Sequence, residues 1–412
     1  MTGPGQGRLR PVAYPSGPVV LAELLPALSA AMDGTGPALV PVPSGPPGDA
    51  VLAMAAPGEP LERPVAADGS PDPVVLVVPT SGSTGARRGA LLTRSALTAS
   101  AGATHARLGG PGGWLLCLPT THVAGLQVLL RSLTAGTTPV CQDLTDGFTT
   151  AGFTAAAARL PRSGRRYTSL VPTQLVRLLD DAAATEALRG FDAVLLGGAA
   201  TPSPLRRRAR ESGVALVTTY GMSETCGGCV YDGVPLDGVR AFLSEGRRLR
   251  LSGAVLFAGY RLDPVGTGAV LSDGVFTTGD LGSVDPEGRV EVLGRADSVL
   301  VTGGEKVLPD EVEAVLTAQP GVREAVVVGL SDPVWGQRVV ALVVQDGGLD
   351  IGRLRSAVAE RLGQASVPRE IAAVEQVPTL GIGKPDRAAA AELARRLLDA
   401  ARTRARCGNA GD

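Results

Sequence analysis

The sequence predicts an α/β protein: a large first part of layered parallel or mixed sheets, a β-barrel-like section after it, and a small α+β unit at the end. Three observations predict this. Short continuous apolar runs alternate with helical stretches through the first half of the chain. From about Arg247 the texture changes to short β-like pieces separated by Gly and Asp turns. After Arg295 a hairpin, a helix and further strands make one compact unit. At 412 residues the chain is too long for one ordinary domain, and the two domains expected are 1–295 and 296–412.

The first 72 residues are rich in Pro and Gly, with one helical stretch at 19–32. Val74-Val-Leu-Val-Val78 is a continuous apolar run, read as a buried parallel strand. It ends in the small-residue loop Pro79-Thr-Ser-Gly-Ser-Thr-Gly85, and a helix is expected over 93–106. Trp114-Leu-Leu-Cys-Leu118 reads as the next buried strand, with a helix over 123–133. Strand 167–171 and helix 172–181 repeat the alternation, and strand 193–196 ends in Gly197-Gly198. The following helix has good ends: Ser203 as N-cap, Pro204 at the first helical position, Gly213 beyond the last turn. Strand 214–219 ends at Tyr220-Gly221. Beyond Arg247, β-like pieces fall at 248–251, 254–257 and 289–293. The helix opening at Pro309-Asp-Glu has acid in its first turn. Strands 324–328 and 338–344, helix 351–362 and a basic helix over 386–406 complete the chain. The charge run of that last helix reads as a solvated face.

The formal net charge of -1 gives no electrostatic case for nucleic acid or an anionic membrane. No apolar stretch follows the first residues, so no secretory signal is expected, and the longest apolar runs are far short of a membrane span. A soluble cytoplasmic protein is the expectation. The sequence leaves oligomeric state open, a homodimer among the options. The 5 cysteines are scattered and make no disulfide framework. Cys226-Gly-Gly-Cys229 lacks the second ligand pair of a zinc site and the context of a redox motif, and reads as two small residues in a tight glycine loop. Of 39 basic residues only Lys306 and Lys384 are lysine. Arginine stands almost everywhere that charge alone matters, so a lysine that persists marks a place where a planar fork would not serve.

Several segments carry chemistry. Hydroxyls and exposed amides in Thr80-Ser-Gly-Ser-Thr-Gly85, after a buried strand, suit phosphate oxygens; the spacing is not that of a P-loop. Tyr220-Gly-Met-Ser-Glu-Thr225 lies at the end of a later strand, where ligands gather in α/β sheets. Thr277-Thr-Gly-Asp280 follows a predicted strand. Gly294-Arg-Ala-Asp-Ser298, Gly303-Gly-Glu-Lys-Val307 and Gly383-Lys-Pro-Asp-Arg387 come after it.

These six segments, in this order across about residues 72–390, resemble the motif series of the acyl-adenylate-forming (AMP-binding) superfamily of acyl-CoA ligases, adenylation domains and luciferases. The resemblance implies ATP, Mg²⁺ and coenzyme A, with small-molecule partners only. Thr80, Ser81, Gly82, Ser83, Thr84 and Gly85 would hold the ATP phosphates. Gly197, Gly198 and Ala199 would line the adenine, with Gly221 beside them, and Tyr220 would stack on it. Thr225 would bond the α-phosphate and Glu224 would hold Mg²⁺. Asp280 and Arg295 would grip the ribose hydroxyls, as a carboxylate accepts two hydroxyl hydrogens. Lys384 takes the position of the catalytic lysine, a single cation reaching both the substrate carboxylate and the α-phosphate. Asp297 matches the hinge of a mobile small domain, whose rotation would withdraw Lys384 and bring Gly303 and Gly304 to a thiol tunnel. Lys306 would line the coenzyme A path or stand exposed. His122, in Pro119-Thr-Thr-His-Val-Ala-Gly125, matches the residue at the acyl pocket and is taken with Lys384 and Thr225 as catalytic.

Two departures stand out. Where relatives continue the phosphate loop with Pro-Lys-Gly, this chain has Arg87-Arg88-Gly89. The chain is also short before the loop and between Thr225 and Gly259. The run 220–238, together with the segments 118–126, 169–175 and 303–307, resembles the short o-succinylbenzoate–CoA ligases of menaquinone biosynthesis, actinobacterial type. The implied substrate is o-succinylbenzoate, with His122, Ser169, Thr173, Gly198 and Gly221 around the acyl group and a cationic or donor-rich end for the second carboxylate. Another aryl or short-chain acyl-CoA ligase, an enzyme loading a carrier-protein thiol, and a non-catalytic relative are the rival expectations.

Overall fold

The computed structural model describes residues 7–13, 17, 19–66, 68–80, 87–345, 347–380 and 384–408, with the backbone alone at 380, 384 and 402–408. Three sheets fill the first two thirds of the chain. The first has four strands in the order Leu9–Ala13, Ala38–Val42, Val74–Thr80 and Arg88–Thr93. Val74–Thr80 runs parallel to Ala38–Val42 and antiparallel to Arg88–Thr93, so the strand expected to lie in a parallel sheet sits in a mixed one. The strand Arg88–Thr93 was not expected. It precedes the helix Arg94–Arg107, whose N-cap Thr93 accepts from Ala96 N at 3.4 Å.

The second sheet has seven strands, in the order Val234–Pro235, Gly227–Tyr231, Leu216–Met222, Ala193–Leu196, Arg165–Leu170, Gly112–Leu116 and Val140–Cys141. Its last five strands are parallel; the first two are antiparallel additions. The continuous apolar runs follow from burial on both faces. Ala193 and Leu195 join one core with Trp114, Leu116 and Tyr167, while Val194 and Leu196 join a second with Leu115, Phe153 and Leu188.

Several boundaries differ from expectation. Leu216–Met222 does not end at Tyr220 but continues through the motif, because its antiparallel partner Gly227–Tyr231 pairs with it as far as Met222. The next expected cap also moves: the helix Ser203–Glu211 begins one residue earlier, with Pro202 in the cap position, and Ser203 Oγ accepts from Arg206 Nη2 at 3.0 Å instead. The helix expected over 172–181 ends at Leu179, and a separate helix Ala182–Arg189 follows, capped by Asp181.

The third sheet is antiparallel: Arg240–Leu243, Arg248–Ser252, Val275–Val284 and Leu271–Ser272, with Val290–Arg295 also on Val275–Val284. Thr277 to Asp280 therefore lie within a strand rather than after one. Residues 254–257 form no strand; Val255 and Phe257 are buried in the core, and Phe257 N donates to Glu224 O at 2.9 Å.

The last sheet orders Glu305–Val307, Leu300–Thr302, Gly336–Gln345 and Val322–Asp332, with Glu370–Ala373 parallel to Gly336–Gln345. Its alternating residues feed two cores. Val327, Val339, Ala341 and Val343 meet Val312, Leu316, Leu354 and Val358 from the helices Pro309–Thr317 and Ile351–Leu362. On the other face Val326, Val328, Val340 and Leu342 meet Ala390 and Ala394. The basic tail helix Arg387–Gly408 thus buries an apolar stripe of its own. Among the described residues no helix is long and apolar enough to cross a membrane.

Candidate active site

Four of the residues singled out above form one bonded chain. The strands Val275–Val284 and Val290–Arg295 pair Asp280 with Arg295. Arg295 Nη1 donates to Asp280 Oδ1 at 3.3 Å, and its other donors reach Asp297 at 2.9 and 3.2 Å. Tyr220, from the seven-stranded sheet, donates its hydroxyl to Asp280 Oδ2 at 2.7 Å. Asp280 is buried, and its backbone N donates to Thr278 Oγ1 at 3.0 Å. Burial first, and then the Asp280 charge, raises the Tyr220 phenol well above its ordinary value. It stays protonated and donating. The bonds to Asp297 hold the Arg295 guanidinium firmly charged.

Glu224 and Thr225 sit in a short turn, Ser223–Thr225, between Leu216–Met222 and Gly227–Tyr231. Thr225 is fully buried; its Oγ1 donates to Gly227 O at 2.7 Å and accepts from Met222 N at 2.9 Å. These bonds close the turn. Gly221 permits the close approach of the two strands: a Cβ there would stand 2.0 Å from Gly227 O. The Glu224 carboxylate accepts from the Tyr260 hydroxyl at 2.8 Å and is 8% exposed. Magnesium is commonly held by one or two carboxylates plus substrate phosphates. A single buried, oriented carboxylate fits that donor set, and among the described residues no group of three His, Cys, Asp or Glu side chains forms an all-protein cage.

The remaining expected residues lie around this centre or apart from it. Thr80 pairs with Arg88 at the base of the phosphate loop; Ser81, Gly82, Ser83, Thr84 and Gly85 lie outside the described residues. A Cβ on Gly197 would stand 2.4 Å from Thr219 Oγ1, and Gly198 turns with φ +84°. These two and Ala199 follow the strand Ala193–Leu196, beside Leu216–Met222. His122 precedes the helix Val123–Thr134; it is exposed, and its Nδ1 shares a hydrogen bond with Thr121 Oγ1 at 3.0 Å. That helix packs its Val123 and Gln127 against Gly227. Ser169 is buried in the strand Arg165–Leu170 and Thr173 is exposed in the helix that follows.

Gly303 and Gly304, with φ +57° and +84°, make the two-residue turn between Leu300–Thr302 and Glu305–Val307. Lys306 is exposed on the second strand. The backbone of Lys384 lies in the strand Lys384–Pro385, paired with Thr379–Leu380; its side chain is outside the described set. Arg387 anchors this hairpin. It bonds the carboxylate of the part-buried Glu313, Asp310 Oδ2 at 3.2 Å and Val327 O at 2.7 Å.

Sequence reasoning missed Tyr260 and the contacts of Arg88. Arg88 lies over the Tyr260 ring at 5.1 Å and within 3.6 Å of Asp263. The signal present was the adjacency of Gly259-Tyr-Arg to the shortened segment after Thr225. The Cys226 and Cys229 thiols are buried, and burial pushes Cys229 up to about 12 and Cys226 higher. They are core residues in the thiol form.

A mixed α/β body that gathers a tyrosine, an aspartate and an arginine beside a glycine-lined strand end has the form of a nucleotide-binding enzyme. The chain belongs to the AMP-binding enzymes: that family model matches residues 19–256, and the AMP-binding enzyme C-terminal domain matches 311–384. A probable 2-succinylbenzoate–CoA ligase of Mycobacterium tuberculosis is 48% identical over 386 residues, spanning 92% of this chain and 97% of its own. Wild-type MenE of E. coli, solved with a phenylether-linked analogue of OSB-AMS, superposes with a TM-score of 0.72 at 26% identity, covering 95% of this chain and 89% of that one. O-succinylbenzoate coenzyme A synthetase (MenE) of Bacillus subtilis, solved with ATP and magnesium ion, has a TM-score of 0.74 at 23% identity and covers 93% of this chain and 89% of that one. It shares the fold.

Proposed function

We propose that the chain is an AMP-forming acid–thiol ligase that activates o-succinylbenzoate with ATP and passes the acyl group to coenzyme A, in menaquinone biosynthesis. The observation that carries this is the 48% identity to the mycobacterial ligase across nearly the whole of both chains. In the first half-reaction a substrate carboxylate oxygen attacks the α-phosphorus and pyrophosphate leaves. In the second, the coenzyme A thiolate attacks the mixed anhydride and AMP leaves.

The residues divide the work. Asp280 accepts the ribose hydroxyls: a carboxylate has about four acceptor sites, so bonds from Tyr220 and Arg295 leave capacity for the sugar. Tyr220, fixed by that bond, presents its ring to the base between Gly197, Gly198, Ala199 and Gly221. Thr80 to Gly85 hold the phosphates, and Thr225 faces the α-phosphate. Glu224 holds magnesium, which neutralises phosphate charge when bound. Lys384 stabilises the charge built up when two anions meet. His122, Ser169, Thr173, Gly198 and Gly221 surround the acyl group. Gly303 and Gly304 line the thiol path. The domains are 1–295 and 296–412, with Asp297 as hinge, and the enzyme works in the cytoplasm.

The test is pyrophosphate release with ATP, Mg²⁺ and a panel of acids, with and without coenzyme A, following thioester by mass spectrometry. O-succinylbenzoyl-CoA, formed in strong preference to benzoyl or fatty acyl thioesters, is the expected product. Preference for another acid overturns the substrate and keeps the chemistry. Pyrophosphate from no acid overturns the ligase reading.

A further inference from the structure

Tyr260 belongs to none of the segments that suggested the function, yet it touches two parts of the phosphate end of the site. It is 7% exposed. Its backbone N donates to Thr267 Oγ1 at 2.8 Å, and it bridges Ala90 and Asp263 in the backbone ladder. Phe257 meets its ring edge-on at 4.9 Å. With ring and backbone so fixed, the hydroxyl has one direction in which to act, and it donates to Glu224 Oε1 at 2.8 Å. On the ring face stands Arg88, the second of the two arginines that replace the usual Pro-Lys at the end of the phosphate loop.

We propose that Tyr260 is a positioning residue that holds the Glu224 carboxylate in the orientation that binds a divalent cation, and that it joins this carboxylate to the return strand of the phosphate loop through Arg88. The inference rests on the ligase reading and on Glu224 as the cation-holding carboxylate. The physical case is direct. A carboxylate on a short turn has several rotamers, and a cation needs one of them. A charge-assisted bond from a rigid donor selects that rotamer before the cation arrives. The bond takes one of about four acceptor sites, so coordination capacity remains. The same ring orients Arg88 by its face and Asp263 holds the guanidinium from the side. The altered loop end is therefore tied to the cation site through one side chain.

The test uses the full chain and a non-cleavable ATP analogue with a methylene between the α and β phosphates. Mn²⁺ binding to the enzyme–analogue complex is measured by loss of the free-Mn²⁺ electron paramagnetic resonance signal, for wild type, Y260F and E224Q. Y260F keeps the ring that packs on Phe257 and Arg88 and removes only the hydroxyl. The expected result is Mn²⁺ affinity lowered about tenfold in Y260F, a larger loss in E224Q, and a cooperative melt of metal-free Y260F only slightly below that of wild type. Steady-state turnover of Y260F returns toward wild type as Mg²⁺ is raised. Wild-type Mn²⁺ affinity in Y260F beside a loss in E224Q overturns the proposal and leaves the ligase reading standing. Wild-type affinity in E224Q overturns the assignment of Glu224, and the proposal with it.

Discussion

Asp280 shows how much one side chain can join. It receives the Tyr220 hydroxyl from one sheet and the Arg295 guanidinium from the paired strand. Lys384 lies on a different element, and the role proposed for it belongs to the first half-reaction. Lys384→Ala is expected to slow acyl-adenylate formation about 100- to 1,000-fold, the usual cost of removing one preorganised charge-stabilising group. Thioester formation from supplied acyl-AMP is expected to stay near wild type. Rapid-quench measurement of the two half-reactions checks this, and equal loss in both counts against two distinct conformations. Lys384 was singled out in the sequence because lysine is so rare here. Tyr260 was not, because nothing in its local pattern says which side chain its hydroxyl will meet 36 residues away.

Among elements, the helix Pro309–Thr317 carries the clearest titration behaviour. Glu313 is largely enclosed between this helix and the small sheet, where it accepts from Val327 N at 2.7 Å and pairs with Arg387. Burial pushes its carboxyl up to about 7 from 4.5, against the opposing pull of Arg387. The folded state then holds this proton more tightly than the unfolded chain does. Its contribution to stability is full below about 4.5 and is lost as pH rises toward 7. Melting temperatures of wild type and Glu313→Gln, taken across that window, are expected to diverge as pH rises, with the wild type losing more. Parallel curves would show that Glu313 titrates normally. The sequence placed this helix and its acidic first turn correctly. It did not place the strand Arg88–Thr93, because a six-residue piece after a glycine loop carries no period that distinguishes it from the start of the next helix.

For the whole molecule, the question is whether the last unit moves against the first. Arg295 bonds Asp280 on one side and Asp297 on the other, so the expected hinge adjoins the residues proposed to hold the ribose. Asp297→Pro fixes φ at the hinge and removes the carboxylate that shares Arg295. It is expected to leave one half-reaction within a few fold of wild type and to suppress the other by at least about tenfold. Equal effects on both half-reactions would argue against a rotation at Asp297.

The sequence by itself determined the alternation of buried strands and helices, the change of texture near Arg247, and the order of the segments that carry chemistry. These are local properties: apolar period, turn residues and motif spacing are written in consecutive positions. Only the tertiary structure decided that Leu216–Met222 runs through its motif, that Thr277 to Asp280 lie inside a strand, and that Tyr220, Asp280, Arg295 and Asp297 share one bonded chain. Those facts depend on which partner strand pairs alongside and how far the pairing extends. A pairing register is a relation between distant segments, and no window of consecutive residues contains it.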